Sequence, residues 1–261
     1  MKVRAFIEPH RMETMAECQD CYAINPGTAA LAVSDGVSQS IFQQEWAKLL
    51  TDYYVRSGAP SEEDRVRLCG LWRNEVLSYI MREKEAGRNP WRAECMLNEG
   101  HSAGATLCGV VFWDDRTWTA DVIGDSVLIV VEGDYTSAIL SSEDKSFDTT
   151  PDYIDSLPGR KGRGEARSFE GALLPEESIL LVTDPFSDYL YRNPDRRGEL
   201  LRELLSVETH EGFRSLVERW RDEGMRDDDS TLVIIQWDGK AVLDIAHMDE
   251  TSYSEENDKA D

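Results

Sequence analysis

Short apolar runs alternate with longer amphipathic stretches along the chain, and this pattern predicts the order of strands and helices. The runs rich in Val, Ile, Leu and Thr have the length and composition of buried strands. They lie at 3–7, 29–33, 106–113, 118–123, 127–131, 178–182, 231–237 and 241–245. Asp- and Gly-rich turns at 114–116 and 124–126 predict an antiparallel meander in the middle of the chain. A similar turn at 238–239 predicts that the last two strands pair and close the sheet.

Four stretches show the three-to-four-residue spacing of amphipathic helices. The first begins near residue 41, and Ser61 is a typical N-cap for the second, because acidic residues follow it where the helix dipole favours anions. The other two helices are predicted at 196–205 and 211–222. An early and a late helix pair, with strands at both ends, predict an α+β fold. We expect a four-layer α-β-β-α sandwich, in which two antiparallel sheets stack face to face and helix pairs flank them.

The chain of 261 residues contains no internal repeat and no linker long enough to divide it, so we expect one domain over residues 1–248. Residues 141–177 show no clear period, which predicts an irregular insert that could serve as a flap. Residues 249–261 are polar and acidic, and they predict a disordered tail. The sequence contains no apolar run long enough to suggest a membrane-spanning helix. The first residues are typical of a strand rather than of an export signal.

The acidic balance of the chain restricts its partners. The sequence has 28 Lys and Arg against 51 Asp and Glu, a formal net charge of −23. Nucleic acids and anionic membranes are bound through clustered cations, so this charge argues against both as partners. Five cysteines, an odd number, indicate free thiols in a reducing cytoplasm. The pair Cys18 and Cys21 has no second pair and no nearby His, and therefore does not indicate a zinc site.

Five aspartates each follow or begin an apolar run, where strands are expected to stop: Asp20, Asp35, Asp125, Asp184 and Asp228. If these strand ends converge, several carboxylates share one small volume, and they cannot all ionise without a compensating cation. Ligand sets made only of oxygen favour hard divalent ions such as Mg²⁺ and Mn²⁺. Any single aspartate here is equally well explained as a turn residue that bonds nearby backbone amides. The metal interpretation therefore depends on Asp35, Asp184 and Asp228 taken together.

The motifs that carry these aspartates follow one another in a definite order. They are Gln19-Asp20, Ser34-Asp35-Gly36, Gly104-Ala105-Thr106, Gly124-Asp125-Ser126, Thr183-Asp184 and Asp228-Asp229-Ser230-Thr231. Over residues 5–240, this order resembles the metal-dependent Ser/Thr protein phosphatases of the type 2C class. The Cys-Gln-Asp form of the first motif, preceded by His10, is similar to a compact bacterial branch of that class. The resemblance implies two stacked sheets flanked by helix pairs, with a binuclear Mg²⁺ or Mn²⁺ centre at one end of the sheets.

Carried over residue by residue, the resemblance assigns four metal ligands. Asp35 would bridge the two ions, and the carbonyl of Gly36 would bind one of them. Asp184 and Asp228 would hold the other ion. The implied activity is the hydrolysis of phosphoserine and phosphothreonine in proteins.

Two further aspartates complete the implied site. Asp20 would act near the metals, mainly through their waters, and Asp125 matches the ligand of a third, weaker ion. With Asp20 and Asp35 as the catalytic carboxylates, a hydroxide bridging the two ions would attack phosphorus in line, without a phosphoenzyme. The implied partner is a phosphorylated protein with a cognate Ser/Thr kinase, and we expect a monomer in the cytoplasm.

The sequence departs from the pattern of the class at four positions. Gln19 stands where the class usually has a Glu that helps to bind the second metal, and a neutral amide binds more weakly. Met15 stands where an Arg commonly holds the substrate phosphate. Val37 begins the pair that replaces a His general acid found in some members, so that a metal-bound water would protonate the leaving oxygen. Pro185 replaces the usual Gly after the third ligand and removes one backbone amide.

Other cations are available to hold the substrate phosphate. The candidates are His10, Arg11, Arg160, Lys161 and Arg163. Arg4 is a further possibility near the N-terminus, and the sequence does not choose among these residues. The last three belong to a basic segment at 159–167, in the region where the class carries its variable flap. This segment is either a grip for a phosphorylated or acidic substrate or an ordinary solvated basic loop.

Two other functions fit parts of the sequence. A catalytically weak or inactive phosphatase-like module that binds a phosphoprotein or a regulator would explain Gln19 and Met15, whereas the three retained aspartates favour catalysis. The segment 100–104, Gly-His-Ser-Ala-Gly, matches the GxSxG nucleophile elbow of serine esterases. That elbow needs a strand before it and a helix after it, and the surrounding sequence predicts neither.

Overall fold

A computed structural model describes residues 1–38, 40–113, 116–141, 152–160, 162, 165–240 and 242–249. The strands are β1 Lys2–Glu8, β2 Cys21–Asn25, β3 Ala30–Ser34, β4 Gly104–Ala105, β5 Leu107–Phe112, β6 Thr117–Ile123, β7 Val127–Val131, β8 Ser137–Leu140, β9 Ile154–Asp155, β10 Arg167–Ala172, β11 Ser178–Val182, β12 Ser230–Gln236 and β13 Asp244–Met248. The helices are α1 Gln43–Ser57, α2 Glu62–Glu85, α3 Trp91–Asn98, α4 Asp184–Arg192, α5 Arg197–Leu205 and α6 His210–Asp222.

The strands form two large sheets. In the described residues, the first sheet has the order β13-β1-β12-β11-β7-β8 and the second has the order β10-β6-β5-β3-β2. Strands β4 and β9 form a small separate pair. Neighbouring strands are antiparallel, except that β1 and β13 run parallel.

The central strands of each sheet are buried on both faces, which explains why they are apolar at nearly every position. Along β1, Val3 and Ile7 pack between the two sheets, whereas Phe6 packs against helices. Along β12, Val233 faces the other sheet and Ile234 faces the helices. Side chains alternate between the two faces of a strand, so one continuous apolar run contributes to two separate apolar layers.

Helices cover the outer faces of both sheets. Trp46 of α1 and Trp72 of α2 are fully buried against the second sheet. Trp220 of α6 packs with residues of α4 and α5 against the first sheet. Helix α2 begins at Ser61 as predicted, because the Ser61 hydroxyl accepts from the Asp64 N–H and the Asp64 carboxylate accepts from the Ser61 N–H, both at 3.2 Å. The predicted α-β-β-α sandwich is confirmed.

Two predicted strand pairings are wrong. Strands β5 and β6 do pair, but β6 and β7 belong to different sheets, and the turn at 124–126 crosses from one sheet to the other. The last strand does not form a hairpin with β12, because β13 pairs with β1 instead. Propensity and turn residues identify strands well, but they do not identify which strands pair.

The segment 141–177 contains structure that its sequence did not reveal. Strand β10 pairs with β6 at the edge of the second sheet, and most of its side chains are exposed, so it has no apolar period. Residues 142–151 lie outside the described part of the chain. Asp249, the first residue of the predicted tail, donates its N–H to the Ala5 carbonyl at 3.1 Å. The remainder of that tail also lies outside the described residues.

Two smaller expectations can be compared with the structure. No disulfide joins the five cysteines, and four of them are buried. Among the described residues, no helix combines the length and the hydropathy needed to cross a bilayer.

Candidate metal centre

The register of the strands brings the five predicted aspartates to one end of the sandwich. Cys21 pairs with Ser34, so Asp20 and Asp35 flank neighbouring strand ends of the second sheet. In the first sheet, Val182 pairs with both Leu232 and Val127. The strand ends next to Asp125, Asp184 and Asp228 therefore lie side by side. We call these five aspartates the carboxylate cluster, and both sheets contribute to it.

Asp20 is buried, with a relative exposure of 3%. One oxygen of its carboxylate, Oδ2, accepts hydrogen bonds from the hydroxyls of Thr183 at 2.8 Å and Thr231 at 2.7 Å. The other oxygen, Oδ1, is buried and has no hydrogen-bond donor in the structure. A buried carboxylate oxygen without a donor is costly, because burial removes its water and nothing replaces it. This oxygen is therefore available to a cation or to a water held by a cation.

Backbone hydrogen bonds fix the loop that carries Asp35. Its N–H donates to the Thr106 hydroxyl at 2.9 Å, and its carbonyl accepts from the Thr106 N–H at 2.9 Å. The next residue, Gly36, donates its N–H to the Gln19 carbonyl at 3.2 Å. A Cβ at position 36 would lie 2.9 Å from the Gln43 Cβ and 3.1 Å from the Gln19 carbonyl oxygen. Glycine is needed here because the first residue of α1 and the loop of Gln19 both lie so close to this position.

The carboxylates raise one another's pKa. Burial raises the pKa of Asp35 well above its ordinary value of 3.8, and the charges of the other four aspartates raise it further. Burial also raises the pKa of Asp20 and of Asp184. The pKa of Asp228 is raised as well, mainly by burial. Such mutual destabilisation of the charged forms is relieved when a cation binds among them.

The guanidinium of Arg226 lies against this cluster. Its Nη2 donates to the Asp184 carboxylate in an ion pair, with 34% of the arginine side chain and 7% of the aspartate side chain exposed. Burial lowers the pKa of Arg226, but the charges of Asp184, Asp228, Asp125 and Asp188 outweigh burial and raise it overall. The charge of Arg226 in turn partly offsets the rise in the pKa of Asp184.

The donor set fits a hard divalent ion in its chemistry. All the side-chain atoms that could ligate an ion here are carboxylate oxygens, and Asp20 Oδ1 among them is buried without a hydrogen-bond donor. The raised pKa values show an excess of negative charge. The side chains as they stand do not form a closed ligand set. In the described part of the chain, no three His, Cys, Asp or Glu side chains are grouped closely enough to hold a metal ion. Binding would thus require some rearrangement, and Arg226 is in contact with one of the carboxylates that would have to move.

Three residues that support the site were not assigned a role from the sequence. Thr183 and Thr231 hold Asp20, and the Thr183 hydroxyl also accepts the Thr231 N–H at 2.9 Å, which ties β11 to β12. Asp229 is buried, and its two oxygens accept from the N–H groups of His10 at 2.8 Å and Gln19 at 2.6 Å. It thereby fastens the N-terminal loop to the site. All three lie within the motifs quoted above, next to aspartates that were assigned.

Most of the cations expected to hold the substrate phosphate contact other acidic groups. Arg11 donates to Glu218 at 2.8 Å and to Asp222 at 2.7 Å, on α6. Arg4 is buried and pairs with Glu208 at 2.6 Å. His10 lies 3.8 Å from Asp227 and is 41% exposed. At the position where the class commonly has Arg, half-buried Met15 packs against the apolar layer between the sheets.

Arg160 lines an open cavity of about 400 Å³ beside the Gly36 loop. Val37, Gly104 and Tyr153 line the same cavity. Lys161 and Arg163, the other basic candidates of this segment, lie outside the described residues.

The esterase-like segment 100–104 does not have the geometry of a nucleophile elbow. Helix α3 precedes it and strand β4 follows it, the reverse of the strand-then-helix order that the elbow needs. The Ser102 hydroxyl donates to Asp155 at 3.1 Å, and His101 lies 3.4 Å from Glu99.

Solved structures share this fold over most of the chain. The serine/threonine phosphatase Stp1 from Staphylococcus aureus is 16% identical with a TM-score of 0.56, and the match covers 91% of this chain and 95% of that one. The S. agalactiae serine/threonine phosphatase is 11% identical with a TM-score of 0.55, covering 90% and 99%. PppA, described as a key regulatory component of T6SS in Pseudomonas aeruginosa, is 20% identical with a TM-score of 0.55, covering 90% and 97%.

The sequence itself gives no such match. No protein-family model matches it, and no curated protein is similar enough in sequence to be matched. The chain has the fold of the bacterial serine/threonine phosphatases, which confirms the fold implied by the resemblance to the type 2C class.

Proposed function

We propose that this protein is a metal-dependent phosphatase that hydrolyses phosphoserine and phosphothreonine in proteins. The observation that carries the proposal is the carboxylate cluster, in which Asp35 is surrounded by the charges of four other aspartates at one end of a phosphatase fold. A structural role does not account for such a cluster, because it destabilises the folded chain unless a cation is present.

The proposed ligand assignment follows the position of each residue. Asp35 and the carbonyl of Gly36 would contact one ion, and Asp35 would also contact the second. Asp184 and Asp228 would complete the second ion's protein ligands. Two bound Mg²⁺ or Mn²⁺ ions would supply a nucleophilic hydroxide at neutral pH and offset the charge of the phosphoryl group. Asp125 is the candidate ligand for a third ion.

The chain's own hydrogen bonds would orient these ligands. The hydroxyls of Thr183 and Thr231 hold Oδ2 of Asp20, which leaves Oδ1 to face an ion or its water. Asp229 holds the backbone of Gln19, whose carbonyl in turn accepts the Gly36 N–H. Such supporting contacts fix the direction of metal ligands and are needed for affinity.

The proposal extends to the setting of the reaction. The substrate would be a phosphorylated protein, modified by a cognate Ser/Thr kinase, and the enzyme would act as a monomer in the cytoplasm. Arg160 would contact the substrate beside the phosphate, since it lines a cavity next to the Gly36 loop. Lys161 and Arg163 would extend this basic surface.

A second function is favoured by specific observations. A phosphatase-like module that binds a phosphoprotein or regulator without turnover would tolerate Gln19 and Met15 at their positions. It would also tolerate the ion pair between Arg226 and Asp184. PppA, one of the proteins with this fold, is described as a regulatory component. Activity measurements separate the two functions.

The test is hydrolysis of an aryl phosphate and of a phosphothreonine peptide, with and without Mn²⁺ or Mg²⁺. We expect metal-dependent turnover that falls about a thousandfold in Asp35→Asn, because metal-derived stabilisation of several kcal/mol is lost. Asp52→Asn is the matched control, since Asp52 forms a surface ion pair with Lys48. Absence of metal-dependent turnover would leave the binding module as the function. Undiminished turnover in Asp35→Asn would show that hydrolysis does not use the proposed site.

A further inference from the structure

Arg226 contacts the half of the carboxylate cluster that belongs to the first sheet. It lies on the loop between α6 and β12, two residues before Asp228, and its guanidinium forms an ion pair with Asp184. These two aspartates are the pair proposed to hold the second ion. One positive charge of the chain itself thus occupies the part of the site that is assigned to a divalent cation.

The loop that carries Arg226 is held firmly by another arginine. Arg221 is buried, and its Nη2 donates to the Asp228 carbonyl at 2.7 Å and to the Pro9 carbonyl at 3.0 Å. The backbone next to Arg226 is therefore fixed, whereas the Arg226 side chain is 34% exposed. We therefore expect withdrawal of the guanidinium into solvent to come from rotation of the side chain and not from movement of the loop.

We propose that Arg226 is an internal counter-cation, which occupies the Asp184–Asp228 half of the cluster in the metal-free protein and must leave before a divalent ion binds there. This inference rests on the metal site of the proposed function. The guanidinium satisfies part of the negative charge that would otherwise attract the ion, and it repels the incoming ion at short range. The cost of displacing it subtracts from the affinity of that half of the site. The half that contains Asp35 and Gly36 has no such contact with Arg226 in the described structure.

The consequence is a graded response to metal concentration. Since Gln19 also supplies no charge to the site, the cluster depends on Asp184 and Asp228 to hold a second ion, and Arg226 competes for both. The protein would then fill one half of the site at low metal concentration and the other only at higher concentration.

The experiment is isothermal titration of the metal-free full chain with Mn²⁺, combined with thermal unfolding in EDTA. Arg226→Met removes the charge and keeps the length of the side chain. Arg226→Lys keeps the charge but lacks the planar guanidinium that donates to Asp184. Arg88→Met is the matched control, because Arg88 forms an exposed ion pair with Glu83 at the end of α2.

We expect Arg226→Met to bind its second Mn²⁺ about tenfold more tightly than the wild type, a difference of about 1.4 kcal/mol. The same variant should unfold at a lower temperature in EDTA, and Arg226→Lys should be intermediate in both measurements. Mn²⁺ affinity and stoichiometry of both variants within about twofold of the wild type would overturn the inference. So would weaker binding in Arg226→Met, because a competitor cannot strengthen binding.

These outcomes are separable from those of the proposed function, because binding is measured without substrate. Tighter Mn²⁺ binding in Arg226→Met without phosphatase activity in any variant would support the inference and contradict the proposed function. Metal-dependent activity with unchanged binding in Arg226→Met would do the opposite.

Discussion

Two clusters that contain carboxylates, the carboxylate cluster at the end of the sandwich and a second one at the edge of the first sheet, differ in how their carboxylates are partnered. The second one, which we call the edge cluster, consists of Glu8, His210, Arg214, His247 and Asp249. Asp249 Oδ2 accepts the Ile7 N–H at 3.0 Å and lies 2.8 Å from His210 Nδ1, and its Oδ1 lies 2.8 Å from His247 Nε2.

The remaining carboxylate of the edge cluster is partnered as well. Arg214 Nε donates to both oxygens of Glu8, at 3.0 and 3.1 Å. In the carboxylate cluster, by contrast, Asp20 keeps one buried oxygen without a donor. The difference teaches that satisfied carboxylates support the fold, whereas unsatisfied ones are the candidates for binding a cation.

The largest effect on stability should come from the edge cluster. Asp249→Ala removes the acceptor of the Ile7 N–H and the partner of two histidines, so we expect a loss of roughly 2–3 kcal/mol of unfolding free energy. Urea denaturation measures this loss, and Asp244→Ala, an exposed aspartate of β13, is the control. Phosphatase activity per folded molecule should not change. A large loss of activity at full stability would erase the distinction between the clusters.

A smaller effect, on metal affinity, is expected from the hydroxyls that hold Asp20 in the carboxylate cluster. Thr231→Val keeps the shape of the side chain but removes one of the two hydroxyls that hold Asp20. We expect Mn²⁺ affinity to fall about tenfold, the lower end of what supporting hydrogen bonds contribute to metal sites. The control is Thr136→Val in an exposed turn. Unchanged Mn²⁺ affinity would mean that the orientation of Asp20 does not matter for the metal.

The smallest effect should be a pH dependence of the metal-free protein. The pKa values of Asp20, Asp35 and Asp184 are raised above the ordinary 3.8, first by burial. A carboxyl with a raised pKa in the folded chain stabilises the fold in its protonated form. This contribution to the free energy of unfolding is fully present below the ordinary pKa of the carboxyl. It is lost as the pH rises through the raised pKa of the folded chain.

We therefore expect metal-free protein to unfold more easily as the pH rises above the ordinary aspartate pKa of 3.8. Thermal unfolding in EDTA measures this trend, and Asp35→Asn should weaken it, because one repelling carboxylate is removed. Saturating Mn²⁺ should reverse the trend, since metal binds the ionised carboxylates. A metal-free protein that gains stability over this range would show that the carboxylates are compensated after all.

The sequence predicted the elements better than their connections. Strands such as β7 and β11 were predicted at their observed bounds, because fully buried strands are apolar at every position. Strand β10 was missed since an exposed edge strand has no such pattern. Helix α4 was missed because it begins directly at the end of β11, with Pro185 in its first turn. The crossing of β6 to β7 depends on pairing between distant segments, which local patterns do not contain.

The aspartates of the candidate site were predictable because they stand at strand ends within ordered motifs. What could not be predicted is how each one is partnered. Nothing in the spacing of Arg226 distinguishes it from Arg11, yet one contacts the cluster and the other pairs with α6. Those choices depend on side-chain directions in the folded chain, and they decide which carboxylates remain free to bind an ion.

The origin of the carboxylates in both sheets has a mechanical consequence. Asp20 and Asp35 belong to strand ends of the second sheet, and Asp184 and Asp228 belong to those of the first. A cation shared between the pairs would clamp the open end of the sandwich and resist sliding of one sheet over the other. Amide hydrogen exchange in β2 and β3 should then slow in step with exchange in β11 and β12 when the ion binds. The two sheets would open as one cooperative unit, with the metal acting as the crosslink between them.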